Sequence, residues 1–297
     1  MVAGIANVGV VGGGLMGSGI AEVCARAGLD VVVVEVSDVA AARARDRIRT
    51  SLERAVARGK IEAAELERTL AHLTVTTELT ALADRDLVVE AASEREEVKL
   101  DLFRRIGALL EREGALLASN TSSIPIVKLG AASGRADRVL GVHFFNPAPV
   151  MQLVELIPSL TTSAATLAAM KAFATDVLGK EPIEATDRAG FVVNSLLVPY
   201  LLSAIRMYEA GYASAADIDR GMVLGCGHPM GPLALADLIG LDTVRAIGVS
   251  LYEEFKEPLY SPPPLLDRMV DAGLLGKKSG HGFYPYGPEP GTRPSPA

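Results

Sequence analysis

At 297 residues, 49% of them hydrophobic and 22% charged, the chain is long enough to bury two cores, or one large α/β core with an appendage. Its formal net charge of −7 and pI near 5.3 exclude nucleic acid and anionic membrane as main partners, so an anionic ligand has to be met by local groups. No basic leader with a small-residue cleavage site and no run of about 18 apolar residues is present, which predicts a soluble cytoplasmic protein.

Residues 5–11 read as an apolar strand, followed at once by Gly12-Gly-Gly14-Leu15-Met16-Gly17. A helical pattern over 18–27 ends at Gly28, and residues 30–35 form a buried strand finishing on Glu35. Strand, GxGxxG, helix, strand and acid in one compact unit is the full context of a dinucleotide-binding turn, where a lone glycine motif would be weak. Gly12 suits the tight turn, Gly14 the approach of a diphosphate, and Gly17 close packing of helix on strand. The helix N-terminus offers free N–H groups to the phosphates. Glu35 can accept from a ribose 2′-hydroxyl and would repel a 2′-phosphate, which favours NAD over NADP.

Residues 39–70 have helical composition, broken near Gly59. Within them, Arg43, Arg45, Arg47, Arg49, Arg54, Arg58 and Lys60 face only Asp46 and Glu53. A solvated helix face and a local site for a phosphate-bearing ligand are equally good readings. Strands are predicted at 73–77, at 86–91 with Glu90 near its end, and at 115–119, with an amphipathic helix over 98–113. Asn120-Thr-Ser-Ser123 follows the last of these strands and is expected to cap what comes next.

Residues 138–143 read as a strand ending at His143, and 151–157 as a second with Glu155 among apolar neighbours. A turn carrying Pro147 and Pro149 joins them, so the pair is expected to meet. A carboxylate beside an imidazole fixes its tautomer and raises its basicity, as a general base requires. Isolated His/Glu pairs are more often structural than catalytic. Here, however, Gly12 to Gly17, Glu35, Glu90 to Glu94, Ser122 and His143 all fall at carboxyl ends of strands, where open parallel sheets bind ligands.

A helix over 164–178 and a strand over 181–186 complete the first part. From Gly190 the pattern is helical: 191–210, 215–224, 232–239, 242–255 and 263–272. The reading is therefore a Rossmann-type doubly wound α/β domain over 1–187, a smaller all-α domain over 188–285, and a flexible tail over 286–297. The first helix of the second part is apolar on most faces, which calls for cover from a second copy. Asn194 stands on its first turn. Cys24 and Cys226 are far apart and His72, His143, His228 and His281 are scattered, so reduced thiols and no metal site are expected.

Together these residues resemble the L-3-hydroxyacyl-CoA dehydrogenases, especially the stand-alone bacterial 3-hydroxybutyryl-CoA dehydrogenases, over nearly the whole chain. The likeness rests on Val10-Val-Gly-Gly-Gly-Leu-Met-Gly17, Ser119-Asn-Thr-Ser-Ser123, His143-Phe-Phe-Asn-Pro147, Gly190-Phe-Val-Val-Asn194, His228-Pro-Met-Gly-Pro232 and the stretch from Gly276 to Tyr284. It implies His143 as general base, Glu155 as its orienting acid, and Ser122 and Asn194 as residues that position the substrate. It also implies NAD contacts from Gly12, Gly14, Leu15, Met16, Gly17, Glu35, Glu94, Lys99, Asn146 and Lys278. Coenzyme A would meet Ser51 and Lys60, and the helical domain would form a homodimer. Two positions depart from the family pattern: Glu35 stands where aspartate is common, and Arg188-Ala189 where Thr-Pro is common. A free hydroxy acid of gulonate or carnitine type, or a carrier-protein-bound acyl group, remain alternative substrates on the same scaffold.

Overall fold

The computed structural model describes residues 4–287, so most of the expected tail, residues 288–297, lies outside the described residues. The chain divides into two compact units after Phe191, against Asp187 in the sequence reading.

The first unit is built on β1 (Asn7–Val11), β2 (Asp30–Val34), β3 (Leu73–Thr76), β4 (Leu87–Glu90), β5 (Leu116–Ser119), β6 (Val139–Phe144), β7 (Leu153–Pro158) and β8 (Glu181–Glu184). They form one sheet in the order β3-β2-β1-β4-β5-β6-β7-β8. Every neighbouring pair is parallel except β6 and β7, which run antiparallel. The first six strands follow the doubly wound dinucleotide-binding order, with the crossover between β1 and β4 opening a crevice at the strands' carboxyl ends. Strands such as Asp30-Val-Val-Val-Val34 read as continuous apolar runs because helices cover both faces.

On one face lie α1 (Leu15–Arg26), α2 (Asp38–Ala57), α3 (Ala63–Ala71) and α6 (Ala164–Ala172), sharing a core that includes Ile20, Cys24, Ile48, Leu52 and Met170. On the other lie α4 (Glu96–Leu109) and α5 (Ile126–Ser133), around Phe103, Ile106, Ile126 and Leu129. The predicted helix over 164–178 is α6 continued by a π-helical turn at Phe173–Val177.

The second unit holds α7 (Val193–Glu209), α8 (Ala215–Cys226), α9 (Pro232–Ile239), α10 (Leu241–Phe255) and α11 (Pro264–Asp271). Two carboxylates organise it. Asp219 accepts from the Leu233 and Ala234 amides at 2.8 and 2.9 Å and from the Tyr284 hydroxyl at 2.9 Å. Asp237 accepts from the Phe283 and Tyr284 amides, each at 3.0 Å, and from the Tyr286 hydroxyl at 3.1 Å. The second cluster pins the segment after Gly276 to α9 so closely that a Cβ on Gly282 would stand 2.0 Å from Asp237 Oδ1. Among the described residues no helix is long and apolar enough to cross a membrane.

Candidate active site

The glycine-rich turn takes the form its spacing predicts. Gly12 has φ +91°, and a Cβ there would crowd the Ala91 and Ala92 backbone at 2.8–2.9 Å. A Cβ on Gly17 would lie 1.7 Å from the Gly12 carbonyl oxygen, so only glycine lets α1 pack this close. Around Gly14, by contrast, a Cβ would meet nothing within 4 Å. That open cradle, at the N-terminus of a twelve-residue helix whose first residues are Leu15 and Met16, fits a diphosphate. Glu35 closes one end, its Oε1 accepting from the Gly13 amide at 2.6 Å and its Oε2 from the Val36 amide at 3.1 Å.

At the end of β4 a second carboxylate does structural duty. Glu90 is fully buried and accepts from the Ser119 hydroxyl at 2.7 Å, the Ala92 amide at 2.7 Å and both ways from the Lys99 ammonium at 2.7 and 2.9 Å. Lys99 is buried too, and its ammonium also approaches Glu94 at 3.3 Å and the Ala92 carbonyl at 3.5 Å. Lys99, expected at NAD, is thus surrounded by protein acceptors, while Glu94 reaches the surface.

Glu94 in turn gathers the loop after β5. Its Oε1 accepts from the Ser122 amide at 2.9 Å, the Ser123 hydroxyl at 3.1 Å and the Thr121 hydroxyl. Burial pushes the Glu94 carboxyl up, but Lys99 and these donors outweigh it, and the group titrates below its ordinary value. The small polar run 120–123 does not cap the next helix, contrary to the sequence expectation. Its donors are drawn to Glu94, and the α5 N-terminus is capped instead by Asp187, which accepts from the Ile126 and Val127 amides at 2.8 and 2.9 Å.

β6 and β7 pair antiparallel with His143 directly opposite Glu155. Residues so placed share one sheet face, and His143 Nδ1 lies 2.7 Å from Glu155 Oε2. Glu155 is wholly buried and His143 is 8% exposed. A carboxylate can only accept, so Nδ1 is the donor and the Nε2 lone pair is left for other work. Phe145 and Phe191 pack edge-on against the imidazole, with centroids at 4.8 and 5.5 Å. The 120–123 loop is tied to the same strand end through Asn120, whose Oδ1 accepts from the Phe144 amide at 2.9 Å, and to Gly190, whose amide donates to the Ser122 carbonyl at 3.4 Å.

Asn146 sits exposed in the turn that follows, before a cis peptide bond to Pro147. The Lys180 ammonium, buried beneath, donates to the Ala148 and Met151 carbonyls at 2.8 Å each. The sequence reading missed Lys180, because a lone lysine between a glycine and a strand looks like surface. It also missed Glu22, a buried carboxylate on α1 whose charged form the Ser51 hydroxyl of α2 favours. Ser51 is half-buried and Lys60 lies exposed just beyond α2. In the second unit, Asn194 is half-buried on the first turn of α7, and the Lys278 ammonium pairs with Asp242.

Residues 7–188 match the model of the 3-hydroxyacyl-CoA dehydrogenase NAD-binding domain, and residues 190–286 that of the 3-hydroxyacyl-CoA dehydrogenase C-terminal domain. The chain belongs to the 3-hydroxyacyl-CoA dehydrogenase family. Among its relatives, the 3-hydroxybutyryl-CoA dehydrogenase of Mycobacterium tuberculosis (strain CDC 1551 / Oshkosh) is 57% identical, over 95% of this chain and 99% of that protein. The crystal structure of M. tuberculosis FadB2 superposes with a TM-score of 0.94 at 56% identity, covering 95% of this chain and 99% of the other. That of (S)-3-hydroxybutyryl-CoA dehydrogenase PaaH1 from Ralstonia eutropha gives 0.90 at 46%, covering 96% and 100%. The protein is accordingly an NAD-dependent oxidoreductase of this family, and the glycine turn, Glu35 and the open cradle at Gly14 suit that cofactor.

Proposed function

We propose that this enzyme oxidises (S)-3-hydroxyacyl-CoA, with 3-hydroxybutyryl-CoA as the preferred member, to 3-oxoacyl-CoA and catalyses the reverse, with His143 as general base. The observation that carries this is the buried His143–Glu155 pair at 2.7 Å, on a strand end tied to the Ser122 loop. The names of the M. tuberculosis and R. eutropha relatives support the short acyl group.

Bound NAD+ supplies the hydride acceptor. His143 Nε2 takes the proton of the 3-hydroxyl in oxidation and returns it to the oxygen in reduction. Glu155 holds Nδ1–H and stabilises the imidazolium as it forms. Ser122 and Asn194 hold the reacting oxygen. Gly12, Gly14, Leu15, Met16 and Gly17 cradle the diphosphate, and Glu35 accepts from the adenosine ribose. Glu94, Asn146 and Lys278 serve the nicotinamide half, with Lys99 acting through Glu94 and Ala92. Ser51 and Lys60 face the coenzyme A end.

The protein works as a cytoplasmic homodimer joined through its helical unit. Leu196 and Leu224 there are 73% and 71% exposed in the single chain, and in this reading the second copy covers them.

The deciding experiment follows NADH oxidation with acetoacetyl-CoA, beside free acetoacetate and beside NADPH, for the wild type and His143→Gln. The expected result is turnover with NADH and the thioester only, abolished in the variant while NADH affinity is nearly unchanged. Turnover of free acetoacetate at a comparable rate, or a large loss of NADH binding in the variant, would overturn the reading.

A further inference from the structure

The basic residues of the 43–60 segment do not act as one patch. The Arg45 guanidinium donates to the Val75 carbonyl, and Arg47 Nη1 donates to the Gly13 carbonyl. The second bond ties α2 to the middle of the glycine-rich turn. Gly13 is held from two sides. Its amide donates to Glu35 at 2.6 Å, while its carbonyl accepts both from Arg47 and from the buried Ser18 hydroxyl at 2.7 Å.

That carbonyl belongs to the peptide unit joining Gly13 to Gly14. In a planar trans peptide the N–H points opposite to the C=O. Drawing the Gly13 oxygen toward Ser18 and Arg47 therefore turns the Gly14 N–H the other way, on the residue whose Cβ direction is open for at least 4 Å. The two arms on one carbonyl matter because glycine imposes no preference of its own: without a Cβ the peptide plane is free to rotate.

We propose that Arg47 is a positioning residue for the cofactor diphosphate, acting through the Gly13–Gly14 peptide rather than by touching the phosphates. Ser18 holds the carbonyl from α1, and Arg47 fixes it from α2. Arg47 is exposed on α2, so its removal leaves the core untouched.

The test measures binding of ADP-ribose and of adenosine to the wild type and to Arg47→Met by calorimetry, at low and at high salt. Positioning predicts that the variant binds ADP-ribose about tenfold more weakly, the scale of one charge-assisted hydrogen bond. Adenosine, which lacks the diphosphate, binds both proteins equally. The ratio for ADP-ribose also persists at high salt, since a fixed peptide orientation is not screened. An unchanged affinity for ADP-ribose, an equal loss for adenosine, or a difference that disappears at high salt would each overturn the proposal.

Discussion

Phe191 meets the His143 imidazole edge-on, ring centroids 5.5 Å apart, from a backbone held at φ +47°. A bulky residue in the left-handed region costs about 1–3 kcal/mol and persists only where its surroundings enforce it. Together with Phe145, whose ring centroid lies 4.8 Å from that of the imidazole, it restricts how the imidazole can tilt. Phe191→Ala removes an aromatic contact worth about 0.5–1.5 kcal/mol. We expect kcat to fall by up to about tenfold, with KM for NADH unchanged. Steady-state kinetics at saturating acetoacetyl-CoA check this, and an unaltered kcat would deny Phe191 any part in holding the base.

Glu155→Gln keeps the shape of the side chain beneath His143 but removes the charge that favours the imidazolium. The expected loss in kcat is about 10²–10⁴-fold, the range of a positioned acid–base group, again with little change in NADH affinity. Because Glu155 is wholly buried, thermal unfolding should be followed in parallel. A variant within threefold of the wild-type kcat would return the pair to a structural role.

Lys180 sits under the turn between β6 and β7, and burial, with nearby Arg26, holds its ammonium below the ordinary lysine value. Lys180→Met strands the Ala148 and Met151 carbonyls that it now satisfies. The Ala148 carbonyl is the buried one of the two, so at about 1–3 kcal/mol for an unsatisfied buried group the variant should lose roughly 1–3 kcal/mol of stability. Chemical denaturation gives that number directly. Stability equal to wild type would mean that the turn is held by its own backbone bonds, Val150 and Met151 to Pro147.

Glu22 gives a pH-dependent prediction. Burial pushes its carboxyl above the ordinary value, and the Ser51 hydroxyl and Arg26 only partly offset this. A folded-state value above the unfolded one means that the fold favours the protonated form. This group's contribution to stability is therefore fully present below the ordinary carboxylate range and is lost as pH rises through the raised value. Glu22→Gln, which cannot ionise, should unfold at a higher temperature than wild type at pH 7. The gap should close as the pH falls below about 4. A variant less stable than wild type at pH 7 would show that the ionised carboxylate is the form the fold prefers.

Much of this protein was legible in one dimension because the signals are local. Apolar runs bounded by glycine placed the strands, and the spacing of Gly12, Gly14 and Gly17 placed the dinucleotide turn, since each glycine answers to a steric demand within a few residues. The His143–Glu155 pairing was legible for a similar reason. The two residues stand only twelve positions apart across a strand–turn–strand segment, which brings them together with few alternatives of register. The helical second part was read from periodicity alone.

What the sequence could not determine is which distant partner claims each polar group. Asp187 caps a helix that begins 61 residues earlier, and Arg47 reaches back 34 residues to Gly13. Lys99, which the family likeness implies at NAD, is buried against Glu90 and Glu94. The Gly282 of the last motif is required because Asp237 occupies the space a side chain would need. Propensity and periodicity report on neighbours within a turn or a strand. A buried charge, a cap or a close backbone approach is settled only when separate elements pack, because only then does a group lose its water and have to find a partner in the protein.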